Sequence, residues 1–485
     1  MVAEPETAPL AGRRSRQQRD VLTTHFLQLT VVVILIGLTL RLVGIGSESF
    51  WVDEEWSRGV ANSSSAAEVV QRCVDDVHPP FYFILLYFWR LAFGDGDVAL
   101  RLLSVAFGTA AVGAAAFVGR ALWDARTGLL SAVAVAVAPD LVRYSQETRM
   151  YALVSLLAVL LVGAAGAVRK PTTGSWVALG LGSFLMMVTH NYGVGFVGLL
   201  FIGIALKSRL NGLSLKPLLL TFAGTAAAYA LVWMPSLLGQ YDVKQLDWLR
   251  DSTASLRDAV GVIAGVFVWE DAPTVFVIGV GVVTLALYAW GLMRTRSDDR
   301  WLILLLTVAP IVGMAIVAQF KGMWLSRSFA FIWPIAVMTV ARGMTQLPSR
   351  ALTIAVAALL FGASLWALEA RLANHQKQEW REAAQVVAEA AKADDHLIVT
   401  SEIAWPSFIR YYRGSPLDSF FIEQQPDYAE VERACALTHK VHSRLWFVEA
   451  NSPQALRDHL MARPDLRLEL DQKLVRVRVL RFAPI

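Results

Sequence analysis

Long apolar runs recur along this chain from about residue 22 to about residue 368, and many can cross the ~30 Å hydrocarbon core of a bilayer. A water-soluble fold has no interior in which to bury so many. Of the 485 residues, 55% are hydrophobic and only 17% are charged, and the mean hydropathy is +0.48. A soluble domain carries about 25% charged residues. The chain reads as a polytopic membrane protein, mainly α-helical, surrounded by membrane lipids. Its net charge of +4 is too small to suggest a nucleic-acid partner.

The basic residues set an expected topology. The first 20 residues are polar and end in Arg13, Arg14, Arg16 and Arg19, just before an apolar run from Val21 to about Gly44. That run is too long for a cleavable signal, so it reads as an uncleaved anchor with residues 1–20 as a cytoplasmic tail. Further basic clusters lie at Arg120–Arg126, Arg169–Lys170, Lys207–Lys216, Arg294–Arg300 and Arg342–Arg350. Placing all of them inside satisfies the positive-inside bias and pairs the spans without contradiction. The spans then fall at roughly 22–44, 99–119, 128–141, 150–168, 174–190, 192–206, 217–236, 273–293, 301–319, 330–346 and 350–368. That makes about eleven helices in a transmembrane domain over residues 21–369.

The run after His78-Pro79-Pro80, FYFILLYFWRLAF, is apolar but short and must begin and end on one side. It reads as a helix lying in the outer interface, started by the prolines, within a first outer loop over residues 46–98. After the last span, residues 370–485 mix a helix-like stretch (WREAAQVVAEAAKA) with strand-like ones (HLIVTS, RLWFVEA, KLVRVRVLRF). This predicts a small extracytoplasmic α/β domain, a candidate for choosing the acceptor because of its expected side. The two cysteines, Cys73 and Cys435, both fall outside, where a disulfide could form; two unpaired thiols are the simpler reading.

Polar residues collect on the expected outer side. The first loop opens with Phe50-Trp51-Val52-Asp53-Glu54-Glu55-Trp56-Ser57, three acids between two tryptophans at a membrane exit. Carboxylates at that depth are costly unless solvated, paired or used. A second outer segment runs from Arg143 to Tyr151 and contains Tyr144, Glu147 and Arg149; an arginine–glutamate pair capping helix ends would also explain it. His190-Asn191-Tyr192 and the stretch from Lys321 to Phe329, with Arg327, complete the set. Acids from one loop and cations from others suit glycosyl transfer from a lipid-linked donor. There the acceptor hydroxyl loses a proton as it attacks, and cations stabilise the departing phosphate.

The elements WVDEEWS, HPPFYFILLYFWRLAFGDGDVALRLLSVAFG, YSQETRMYALVSLLAVL, THNYG and LSRSFAFIWP, in that order, resemble the GT-C superfamily of membrane glycosyltransferases. The resemblance is to the bacterial family related to protein O-mannosyltransferases and the lipid A aminoarabinose transferases. It covers the first 200 residues or so well, the middle third poorly and the C-terminal domain not at all. It implies a GT-C fold and inverting transfer from a polyprenyl-phosphate sugar to a lipid, polysaccharide or protein hydroxyl, on the outer face of a bacterial inner membrane. It implies Asp53 as general base with Glu54 beside it, Glu147 and Arg149 as substrate contacts, Arg327 for the lipid phosphate and Lys321 as helper. His78, Tyr144, Tyr151 and His190 are further candidate substrate contacts. Glu55 departs from the small residue more typical after the acidic pair. Asp53, Glu54, Glu147 and His78 could ligate a divalent cation, but arginine and lysine can neutralise a monophosphate, so no metal is expected to be essential. A ligase or polymerase acting on diphosphate-linked oligosaccharides, a lipid or sugar transporter, and an inactive scaffold are the alternatives.

Overall fold

The computed structural model describes residues 24–240, 253–268, 272–321, 324–400, 404–422, 428–450 and 454–485. The expected cytoplasmic tail, residues 1–20, lies outside them. The chain divides into two compact units. One comprises Met1–Val43, Val60–Gly94 and Ala99–Glu369; the other comprises Gly44–Gly59, Asp95–Val98 and Ala370–Ile485.

The first unit is helical. Among the described residues, five helices are long and apolar enough to cross a membrane: Asp97–Leu122, Tyr192–Leu210, Thr274–Met293, Ser297–Phe320 and Arg350–Ala373. A sixth crossing results if the bent pair Ala125–Val137 and Pro139–Gln146 is one span. At the remaining positions expected to span, the helices are shorter: Phe26–Leu42, Tyr151–Ala167, Thr173–Met187, Lys216–Val232 and Ile332–Thr345. At ~1.5 Å per residue, 17 residues reach about 26 Å, the short end of what spans a bilayer. The proline-started helix is present as Phe81–Phe93, with Pro80 at its N-cap.

Helix Ile332–Thr345 is the centre of this unit: every residue but Arg342 is buried. It packs against Ala125–Val137, Tyr151–Ala167 and Thr274–Met293. Its crossing with Thr274–Met293 is close enough that a Cβ at Gly291 would strike the Thr339 carbonyl, and one at Gly343 the Leu287 carbonyl. Small residues of this kind let membrane helices approach backbone to backbone.

The second unit holds a five-stranded sheet: β1 (His396–Thr400), β2 (Asp418–Ile422), β3 (Leu445–Glu449), β4 (Leu466–Leu474) and β5 (Val477–Pro484), in the order β2-β1-β3-β5-β4. Strands β2, β1 and β3 are parallel; β5 runs antiparallel to both β3 and β4. The period-2 alternation of a strand puts Leu397, Val399, Trp446 and Val448 in a core with Trp380, Ala383, Ala384 and Val387 of helix Trp380–Ala390. Their neighbours Ile398, Leu445 and Phe447 pack with Val431, Ala434 and Cys435 of helix Tyr428–Val441. The run KLVRVRVLRF, expected as one strand, is broken by a turn at Val475–Arg476, where Arg476 takes φ +54°. No glycine or asparagine marks that turn. Cys73 and Cys435, in different units, are both buried free thiols.

Candidate functional site

In the second unit the acidic motif forms the start of helix Val52–Ala61, with Asp53, Glu54 and Glu55 in its first turn. The unpaired N–H groups and the helix dipole favour negative charge there. The three carboxylates are placed differently. Glu54 is 0% exposed, and its Oε2 accepts a hydrogen bond from the Lys377 ammonium at 2.8 Å. Glu55, also buried, accepts from Arg58 Nε at 2.9 Å, with Arg410 Nε at 3.8 Å. These two arginines compensate the third acid of the motif. Asp53 is half-buried.

Around this turn runs a wider charged network. Glu48 accepts from the backbone N–H groups of Gln376 at 2.7 Å and Lys377 at 3.0 Å. Burial pushes the Glu48 carboxyl up, but the cations Lys377 and Arg371 and those two N–H groups outweigh it, holding it below the ordinary carboxylate range. Arg410 Nη2 donates to Asp97 at 2.6 Å, and the Tyr411 hydroxyl donates to the same carboxylate at 2.6 Å while accepting the Phe50 N–H at 2.7 Å. Lys377, Arg410 and Asp97 were absent from the sequence-level site. Lys377 had one visible signal, a cation just past the last span.

In the first unit, three separate motifs come together. The Asn191 side-chain amide donates to the Val77 carbonyl at 2.9 Å, and the Phe81 N–H donates to the Val188 carbonyl at 3.1 Å, so the THNYG turn holds the loop before Pro79. There His78 Nδ1 lies 2.7 Å from Asp76 Oδ2, and His78 Nε2 lies 2.7 Å from Arg149 Nη2. A guanidinium can only donate, so Nε2 is the acceptor and Nδ1–H donates to Asp76, defining a neutral imidazole. Burial pushes Asp76 up, but His78 and then Arg149 bring its carboxyl below the usual range.

Aromatic rings carry the cluster onward. Tyr144 stacks on Trp333 with centroids 5.3 Å apart, meets Tyr151 edge-on at 4.9 Å, and lies 5.3 Å from the Arg143 guanidinium. Tyr151 lies 6.2 Å from His190, and His190 lies 5.5 Å from Tyr192. His190 is buried, and its Nδ1 accepts the Tyr192 N–H at 3.1 Å. Glu147 is buried beside Arg143 at 3.6 Å, and its Oε2 has no hydrogen-bond partner among the described residues. Arg327 sits in the 3-10 turn Ser326–Phe329. The side chain of Lys321 lies outside the described residues.

The segment carrying Tyr144, Glu147 and Arg149 is aimed by a broken helix. Ala125–Val137 ends before Pro139, and the chain turns by 64°. Proline has no N–H, so the Val135 carbonyl loses its partner four residues on, and the bend takes the next partner from Ala136. The fully buried Arg41 replaces both, donating to Val135 at 3.1 Å and Ala136 at 3.2 Å. Its Nε donates to the Ser145 hydroxyl at 3.1 Å, and Gln146 returns a bond to the Arg41 carbonyl at 3.1 Å. Gly108 makes room: a Cβ there would fall on Ser145.

The sites thus gather in two clusters: Asp53 and Glu54 in one unit, and His78, Tyr144, Glu147, Arg149, Tyr151, His190 and Arg327 in the other. Among the described residues, no three His, Cys, Asp or Glu side chains are grouped to hold a metal ion.

No protein-family model and no curated protein matches the sequence. Solved structures do, and they define the class: the chain has the GT-C fold of membrane glycosyltransferases. It is similar to ArnT from Cupriavidus metallidurans bound to undecaprenyl phosphate, at 12% identity and TM-score 0.61, covering 93% of this chain and 97% of that one. It is also similar to the Archaeoglobus fulgidus oligosaccharyltransferase in its apo form, at 13% identity and TM-score 0.53, covering 88% and 69%. The arabinofuranosyltransferase AftD from Mycobacteria aligns at 14% identity and TM-score 0.55, covering 94% of this chain but 40% of the larger protein.

Proposed function

We propose that this protein is an inverting glycosyltransferase that moves a sugar from a polyprenyl-phosphate donor to an acceptor hydroxyl, on the outer face of a bacterial inner membrane. The observation that carries this reading is the fold it shares, along nearly its whole length, with an ArnT structure bound to undecaprenyl phosphate. Asp53 takes the proton of the acceptor hydroxyl as its oxygen bonds to the anomeric carbon. The bond from that carbon to the phosphate oxygen breaks, and polyprenyl phosphate leaves as an anion stabilised by Arg149 and Arg327, with Lys321 as helper. Tyr144, Tyr151 and His190 offer faces for the sugar, and Glu147 an acceptor for one of its hydroxyls. Arginine and lysine meet the leaving charge, so no divalent cation is required.

Transfer of labelled sugar from a panel of polyprenyl-phosphate sugars to membrane extracts tests this, comparing wild type with Asp53→Asn. The substitution keeps shape and removes the base, so transfer falls by a factor of about 100 or more. Equal transfer by both proteins removes Asp53 as the base. Likeness to the oligosaccharyltransferase supports a second reading, ligation of diphosphate-linked oligosaccharides. Transfer from such donors alone would select it.

A further inference from the structure

We propose that Lys377 is a positioning residue for the reaction, holding the helix that carries Asp53 by ion-pairing its neighbour Glu54; this rests on the functional reading above. The segment 376–380 grips the start of that helix at several points. The Lys377 ammonium donates to Glu54 at 2.8 Å, while its backbone N–H donates to Glu48 at 3.0 Å. The Val52 N–H donates to Gln378 Oε1 at 3.3 Å, and that oxygen also accepts from Trp380 Nε1 at 3.1 Å. The Ser49 hydroxyl donates to the Gln378 carbonyl at 3.0 Å. The Val52 side chain packs on the core that contains Trp380. The acidic helix is therefore mounted on the α/β domain by its first turn.

The burial of the pair divides the labour of the two acids. Lys377 is 8% exposed and Glu54 0%, so neither charge is satisfied by water and each depends on the other. A carboxylate committed in this way is a poor proton acceptor. Asp53 precedes it by one residue, about 100° around the helix, and is only half-buried. Glu54 and Lys377 fix the turn, and Asp53 does the chemistry. The C-terminal domain thus serves the reaction through the helix it holds, whatever it does for the acceptor.

The test uses the full-length protein in detergent, reading donor kinetics and amide hydrogen exchange of residues 53–58 together. Lys377→Met is expected to lower kcat by about tenfold or more, because breaking a buried pair strands a charge. The donor KM stays within about twofold, and exchange over the first turn quickens. Lys377→Arg, which keeps the charge, recovers most of kcat and of the protection; the double variant Glu54→Gln/Lys377→Met, which strands no charge but lacks the tether, folds with exchange over the first turn still quickened. If the single variant fails to fold, that double variant supplies the measurement, with kcat reduced but KM unchanged as the expected result. Wild-type kcat or wild-type protection in Lys377→Met overturns the proposal. A wild type without transfer from any donor breaks the functional reading alone, and the exchange rates still decide whether Lys377 holds the helix.

Discussion

Two buried cations, Arg41 in one unit and Lys377 in the other, are satisfied in opposite ways. In the helical unit Arg41 has hydrogen bonds to the carbonyls of Gly37, Val135 and Ala136 and to Ser145. In the other unit Lys377 faces the carboxylate of Glu54. Within an apolar bundle a partner acid would itself have to be stripped of water, whereas carbonyls orphaned by a proline need a donor in any case. Where the helical unit does use carboxylates, Asp298 and Asp299 lie in the first turn of Ser297–Lys321, joined to Arg169 and Lys207. Both arrangements sit at helix ends: Arg41 lies in the last turn of Phe26–Leu42, and the two aspartates lie in the first turn of Ser297–Lys321.

This contrast predicts a ranking of effects. Arg41→Met should be the most damaging change, because it leaves the Val135 and Ala136 carbonyls unmatched at about 1–3 kcal/mol each. Arg41→Lys, a point charge in place of a fork, should recover only part. Thermal denaturation of the purified variants checks both, and equal midpoints for Arg41→Met and wild type would break the comparison. Next comes His78→Phe, which removes the bridge between Asp76 and Arg149 without touching the acidic helix. It should raise the donor KM about tenfold, close to 1.4 kcal/mol, with kcat nearly unchanged. The smallest effect concerns pH. Glu48, Asp465 and Asp471, all in the second unit, have carboxyls held below their ordinary values. Their stabilisation is complete above the unfolded carboxylate range near pH 4 and is lost as pH falls through the lower folded values. Hydrogen exchange in β1 and β3 should therefore be flat from pH 7 to about 5, after correction for intrinsic rates, and rise only in more acid solution. A rise between pH 7 and 6 would sink that assignment.

Much of the helical unit was legible because an apolar run of helical length has few alternatives, and the short continuous apolar runs HLIVT and LWFVE, buried on both faces, marked β1 and β3. The break at Pro139 was visible, since proline cannot continue the hydrogen-bond ladder, yet the apolar run continues to Leu141 and hid it. Arg41 was also visible as a charge in an apolar run. What it holds lies 94 to 104 residues away, and no local pattern encodes that distance. At the site, the residue types and their motif order were readable, and Glu55 with Arg58 follows helical i,i+3 spacing. The partners Lys377 and Arg410 were not, because they come from the far end of the chain. A tight turn built on Val475–Arg476 carries no glycine signal at all.

Glu54 and Lys377 stand 323 positions apart in the chain. A ribosome adding about 5–20 residues per second needs on the order of half a minute to travel between them. During that interval the acidic helix is synthesised without its anchor, and the missing cation comes only with the segment that follows the last long apolar helix. A product truncated before Lys377 would carry Asp53 on an untethered turn. In the order of synthesis, the contact that fixes this turn is therefore made late, after the helices of the first unit have been translated.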